Sequence, residues 1–218
     1  MNRFLRSGSV VVIILLTACG SPYKKLEKQP APGYSAFKYR PQYDKVLYRC
    51  NVNGSIILKK FHLSGLLFFK SVENGTVHAI FQNEMGYTFF DFEWDTNDSF
   101  KVNKIIDQLD KPALVKTLQK DFGLLLMKGL NKQTEVFYKA GRGKEEYSCF
   151  TLDNGFAYYI TDNGKLVRIE NAGKKNRVIT INVTGKETDT AMPDSAVFDH
   201  HRANFKIELH KIDRHADE

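Results

Sequence analysis

Leu63-Ser64-Gly65-Leu66-Leu67-Phe68-Phe69-Lys70, followed by Thr76-Val77-His78-Ala79-Ile80-Phe81-Gln82 and Tyr87-Thr88-Phe89-Phe90-Asp91-Phe92-Glu93-Trp94, is the stretch that decides the fold. β-Branched and aromatic residues dominate each run, and Asn74-Gly75 and Met85-Gly86 separate them, the pattern of strands joined by tight turns. Two-residue turns at both places set Phe68 opposite Phe81, Phe81 opposite Phe90 and Ala79 opposite Phe92. One face then collects Leu66, Phe68, Val77, Ala79, Phe81, Phe90 and Phe92, all apolar. The other carries Leu67, Phe69, His78, Ile80, Gln82, Phe89 and Asp91. One residue more in either turn would exchange the faces of the strands beyond it.

The same grammar extends in both directions. Before this stretch, Lys45 to Asn51 and Ser55 to Phe61 read as strands around an Asn53-Gly54 turn, and Phe100 to Ile106 follows it. A second series runs through Glu135 to Lys139, Glu145 to Leu152, Phe156 to Thr161, Lys165 to Asn171, Asn176 to Thr184, Ala196 to Asp199 and Phe205 to Ile212, with turns at Asn154-Gly155 and Asn163-Gly164. Between the series, residues 111 to 127 place Val115, Leu118, Phe122 and Leu125 on one helical face. Asp110 is a candidate cap, with Pro112 in the first turn. The fold class is therefore mainly β (α+β): a curved antiparallel sheet or half-open β-barrel with one or more helices on its concave face.

An all-apolar face rich in phenylalanine must be covered, and the helix around Leu118 and Phe122 is the obvious cover. A helix about 10 Å wide cannot hide a broad sheet whose strands lie about 4.8 Å apart. Either the sheet curls around the helix, or a hydrophobic ligand shares the cavity. The candidate ligand-binding residues are Leu66, Phe68, Phe81, Phe90, Phe92, Leu118, Phe122 and Leu125, and the competing reading makes the same residues plain core.

The N-terminus carries a different signal. Arg3 and Arg6 precede an apolar run from Val10 to Leu16, too short to span a bilayer and suited to a cleaved export signal. Leu16-Thr17-Ala18-Cys19 resembles the lipobox of bacterial lipoproteins, which implies cleavage after residue 18 and acylation of Cys19 by chains such as palmitate. No aspartate follows Cys19, so the sorting rule implies the periplasmic face of the outer membrane. Residues 19–44 hold four of the six prolines and no apolar period, and read as a lipidated terminus with a flexible tether. Residues 45–213 make one domain, and 214–218 a polar tail.

Loss of residues 1–18 takes the formal charge from +7 to +5, mild and spread along the chain. No arginine-rich stripe interleaved with aromatics indicates nucleic acid. Cys50 and Cys149 remain after Cys19 is committed to lipid; in an oxidising compartment they either form one bridge or stay as separate core thiols. The histidines at 62, 78, 200, 201, 210 and 215 fall in no metal-ligand spacing. Gly141-Arg142-Gly143-Lys144 lacks the full phosphate-loop pattern, and no Gly-x-Ser-x-Gly elbow occurs. Asp91, Glu93 and Asp95 alternate at a strand end, as a solvated edge does. These residues suggest neither an enzyme nor a cofactor beyond the lipid on Cys19.

Taken in order, the lipobox, tether, meander, central helix around Leu118 and closing hairpin from Pro193 to Ile212 resemble the LolA/LolB group of lipoprotein carriers and receptors. Leu63 to Lys70 and Asn83 to Phe92 are similar to its paired central strands. The resemblance implies a half-open barrel whose concave side accepts acyl chains, anchored to the membrane, with a lipid or acylated protein as ligand. The alternative is a structural or assembly lipoprotein that docks an envelope protein with its interior filled.

Overall fold

The computed structural model describes residues 22–56, 59–72, 74–141 and 143–212. The signal segment 1–18, the acylation site Cys19 and the tail 214–218 lie outside the described residues. Thirteen strands and one α-helix are found among those described. The strands are β1 (Leu26–Gln29), β2 (Lys45–Ile56), β3 (Lys59–Ser71), β4 (Val77–Gln82), β5 (Thr88–Trp94) and β6 (Phe100–Ile105), then, after α1 (Pro112–Leu125), β7 (Val136–Ala140), β8 (Glu145–Leu152), β9 (Gly155–Asp162), β10 (Lys165–Ala172), β11 (Arg177–Thr184), β12 (Ser195–His200) and β13 (Phe205–Lys211). They form one open antiparallel sheet in the order β1-β7-β8-β9-β10-β11-β12-β13-β2-β3-β4-β5-β6. The two meanders meet where β13 pairs with β2, and α1 lies against the concave side. This is the fold class the hydrophobic pattern predicts.

Several local expectations are corrected. Asn53-Gly54 is no turn: β2 runs through it to Ile56, which faces Lys59, so two long strands replace three short ones. Gly54 is required by close approach instead, since a Cβ there would stand 2.4 Å from the Phe61 ring and 2.7 Å from Phe205 Cβ. Helix α1 starts at Pro112, but its N-cap is Lys111, without a side-chain hydrogen bond, and not Asp110.

The hairpin between β3 and β4 is longer than the two-residue turn. The Val72 N–H donates to the Thr76 carbonyl, residues 73–75 lie between them, and Gly75 takes φ +80. A three-residue loop of this kind needs a left-handed residue at its end. The extra residue shifts β3 by one, so Phe68 faces Ile80 and not Phe81, and Leu67 and Phe69, both 0% exposed, enter the core. Leu66 and Phe68 turn to the convex face. The next hairpin is also longer, with the Asn83 N–H donating to the Tyr87 carbonyl. There a bulge between Phe81 and Gln82 restores the expected pairing of Phe81 with Phe90 and of Ala79 with Phe92.

Residues 22–44 are not a free tether. Leu26–Gln29 pairs with β7. Ala36–Tyr39 forms a 3-10 turn capped by Ser35, whose hydroxyl accepts from the Phe37 N–H. Glu135 binds the Ala36 N–H at 2.7 Å. Tyr39 is 1% exposed and donates to the Gly164 carbonyl at 2.6 Å. Few contacts, each strong, hold the segment where no apolar period announces it.

Burial divides between two sides. The main core fills the concave face, and a smaller cluster of Cys149, Tyr158, Ile160 and Ala172, packed by Tyr23 and Leu26, lies elsewhere on the sheet. Cys50 belongs to the first and Cys149 to the second, and both are free thiols. Five strands separate β8 from β2, each about 4.8 Å from the next. A bridge needs Cα atoms within about 7 Å, so of the two alternatives that the sequence leaves open the structure takes two separate core thiols.

Burial pushes the Cys50 thiol up to about 12 and Cys149 up to about 11, and it raises the phenols of Tyr48 and Tyr159 as well. The unfolded chain releases these protons at its ordinary values, roughly 8.5 for Cys and 10 for Tyr. A raised folded value contributes stability that is complete below the ordinary value and is lost as pH climbs toward the folded one. Lys186, which burial lowers to about 8, acts with the opposite sign as a single group. Thermal melts are expected to be flat to about pH 8.5 and then to fall, by about 1.4 kcal/mol per pH unit per group. Disulfide reagents should leave both thiols untouched until the protein unfolds.

Candidate functional site

The concave face is built by α1 lying over both arms of the sheet. On α1, Leu118, Phe122 and Leu125 are 7%, 2% and 3% exposed and point to the sheet. The Phe122 ring meets Phe69 of β3 edge-on at 5.7 Å, Phe90 of β5 at 6.1 Å and Phe198 of β12 at 6.1 Å. Phe90 and Phe92 stack at 4.3 Å. Such offset and edge-on pairs are the favourable arrangements of aromatic rings. Tyr159 extends the seam, its hydroxyl donating to the Leu124 carbonyl at 2.7 Å.

The structure thus brings together six of the eight candidate ligand residues: Phe81, Phe90, Phe92, Leu118, Phe122 and Leu125. Leu66 and Phe68 are excluded by the register shift, and Leu67 and Phe69 stand in their places. What gathers is a packed seam. Among the described residues, hollows of about 310 and 370 Å³ are lined by none of Leu118, Phe122 or Leu125.

A polar pair that sequence reading missed sits inside the seam. Asp121, 0% exposed, accepts from His200 Nε2 at 2.7 Å, and His200 Nδ1 lies 3.1 Å from the Phe205 carbonyl. A carbonyl only accepts, so Nδ1 carries a proton. The Nε2 to Oδ2 bond holds one more, and the pair is neutral whichever atom keeps it. Burial raises the Asp121 pKa, and the hydrogen bond from His200 opposes the rise. Asp121 Oδ1 is buried without a hydrogen-bond partner among the described residues. The only signal in the sequence was a carboxylate three residues after Leu118, on the apolar stripe.

On the convex side a second polar knot gathers at β10. Glu170, 0% exposed, binds Arg168 Nε at 2.7 Å and Arg177 Nε at 2.9 Å and accepts from the Tyr23 hydroxyl. Arg168 also grips Glu145 through two bonds of 2.9 Å. The Tyr23 ring stacks on Tyr158 at 4.0 Å. A buried carboxylate between two guanidinium groups thus fastens the N-terminal segment.

The carboxylates read as a solvated edge take structural partners. His78 lies 2.9 Å from Asp91 and 3.7 Å from Glu93. Asp95 accepts from the Asn97 and Ser99 N–H groups at 2.8 Å and shapes the β5–β6 turn. Among the described residues no group of three His, Cys, Asp or Glu side chains stands close enough to hold a metal, and no helix is long and apolar enough to cross a membrane.

No family model matches the chain, and no curated protein matches it in sequence. Solved structures are similar in chain course. They include a domain described as an outer membrane lipoprotein-sorting protein from Vibrio parahaemolyticus, with TM-score 0.46 and 8% identity over 81% of this chain and 87% of that one. A DUF1329 family protein from Desulfovibrio piger has TM-score 0.44 and 7% identity over 82% and 88%. A LolA superfamily protein from Nitrosomonas europaea has TM-score 0.46 and 6% identity over 82% and 89%. These likenesses concern the course of the chain alone, and function has to be argued from the geometry of this chain.

Proposed function

We propose that this chain is a lipid-anchored, non-catalytic protein of the bacterial envelope that docks a protein partner on its surface while its interior stays closed. The observation that carries the reading is the occupied concave face: Phe122 fills the space between β3, β5 and β12 where an acyl chain would lie.

Acylation of Cys19 supplies the anchor, on the periplasmic face of the outer membrane by the sorting rule. Four residue steps lead from Tyr23 back to Cys19, and these reach about 14 Å at most. With Tyr23 fastened to Glu170 and Tyr158, the anchor leaves from the β9–β10 arm and keeps the domain at the bilayer.

The docking surface is the convex face of the other arm. There Leu47, Phe68 and Ile80 are neighbours in register and only half-buried, with Leu66 beside them, and Lys45 lies 4.9 Å over the Phe68 ring. Contiguous apolar side chains that keep part of their surface in water offer a protein partner something to cover. A photo-crosslinking residue placed at Phe68 or Ile80 in cells should give one discrete adduct, and the same residue at exposed Asn182 should not. No adduct from the patch, or the same adducts from Asn182, would contradict the reading.

One observation favours a second reading, in which a lipid or the acylated end of a protein enters the half-barrel by displacing α1. The helix is secured partly through Asp121 and His200, a joint with one carboxylate oxygen unpaired among the described residues, and an unpaired buried oxygen is costly to keep.

A further inference from the structure

We infer that the convex patch takes an acidic partner: a protein segment whose apolar side chains are flanked on both sides by carboxylates. The inference rests on the docking reading above and names the chemistry of what docks.

The apolar part of the patch is a row across the sheet. The Ile212 N–H donates to the Leu47 carbonyl, Leu47 faces Phe68, and Phe68 faces Ile80. Four half-buried side chains, from the end of β13 and from β2, β3 and β4, thus stand side by side. At about 4.8 Å per strand the row is about 14 Å long.

Cations border the row on both sides along the strands. Lys45 faces Lys70 two residues to one side of it, and Arg49 stands two residues to the other. All three are exposed. Four residues of strand separate Lys45 from Arg49, so the two cationic borders lie about 14 Å apart.

These charges have no answer within the described chain. None of the three makes an ion pair among the described residues, and the Phe68 ring that holds the Lys45 ammonium at 4.9 Å brings no countercharge. The carboxylates nearest on the same face are already engaged. Asp91 lies 2.9 Å from His78, Glu93 accepts from Asn103 at 2.6 Å, and Glu208 lies 2.8 Å from Lys206. Like charges directly opposite across two strands are unfavourable, and Lys45 and Lys70 are placed so. Lysines on a sheet edge serve to block unwanted pairing, but β2 and β3 are inner strands.

A lipid surface can be negatively charged too, but the patch does not share a face with the anchor. β3 and β9 lie six strand spacings apart in the sheet, about 29 Å along it. Yet Phe69 of β3 meets Phe122 and Tyr159 of β9 meets Leu124, on one turn of a helix about 10 Å wide. The sheet therefore bends around α1. Its outer faces at β3 and at β9, where Tyr23 holds the anchor segment, look in different directions, which favours a protein over the bilayer.

The test places a photo-crosslinking residue at Ile80 of the full chain in cells and reads the captured segment by mass spectrometry after digestion. The expected result is a protein segment of net negative charge, with carboxylates on both sides of its apolar residues. Arg49→Glu combined with Lys70→Glu should cut the adduct at least about tenfold, since charges set against their own kind suppress a contact. The thermal midpoint should hold, because Lys70→Glu gives Lys45 an opposite charge across the strands. Lys139→Glu with Lys165→Glu, the same change in net charge at exposed positions of the other arm, should leave the adduct intact. A captured segment that is neutral or basic, a phospholipid adduct, or a yield undiminished in the Arg49 and Lys70 variant would overturn the inference and leave the surface a contact site. No adduct at all from Ile80 would overturn the docking reading and the inference with it.

Discussion

Replacing Phe122 with alanine is expected to destabilise the domain by about 3–5 kcal/mol, the cost of removing a large buried aromatic. The upper part of that range applies because the ring is 2% exposed and touches Phe69, Phe90 and Phe198, which come from both arms of the sheet. The surrounding strands are held by their ladders and cannot close over the space. Urea denaturation should show a lower midpoint with an unchanged slope. The cavity left behind is lined by apolar rings, and such cavities take up small apolar molecules. The variant should therefore be partly restabilised by benzene, which should leave the parent protein unaffected.

Glu170→Gln is the second large effect, about 3 kcal/mol, at the low end of what breaking a buried ion pair costs. The carboxylate is 0% exposed between Arg168 and Arg177, and its loss leaves two cations that only partly reach water. The substitution also removes a charged acceptor from the Tyr23 hydroxyl. Trypsin should then cut at Lys24 and Lys25 sooner than in the parent protein, while the core behind α1 keeps its protection. A fall in stability with no change in cleavage there would separate the knot from its role in holding the N-terminal segment.

The parts of the molecule legible in the sequence are those written in local periodicity. Val115, Leu118, Phe122 and Leu125 repeat at the helical spacing, and α1 is where that spacing puts it. Phe81, Phe90 and Phe92 share the core face as expected, although two departures had to cancel, a longer turn at Gly86 and a bulge beyond Phe81. At Gly75 nothing cancelled, and Leu66 and Phe68 exchanged sides with Leu67 and Phe69. Turn length in a hairpin is decided by one backbone angle, which residue type alone leaves open.

What the sequence hides is carried by pairs far apart along the chain. Asp121 meets His200 across 79 residues, and Tyr23 meets Glu170 across 147. Neither has a spacing to read, and each looks like an ordinary surface residue of its element. Residues 22–44 carry no periodic signal for the same reason: a four-residue strand and single side chains such as Tyr23 and Tyr39 hold the segment, with no repeating pattern between them.

The central claim is that the half-barrel is closed by its own helix and that the protein acts through its surface. Saturation binding of a long-chain fluorescent fatty acid to the full chain in non-ionic detergent, read together with native mass spectrometry of protein extracted from its membrane, tests that most directly. The account predicts no saturable uptake and no lipid beyond the covalent anchor. One-to-one uptake, with faster amide exchange along α1 as the ligand enters, would contradict it and make the phenylalanine seam an acyl site.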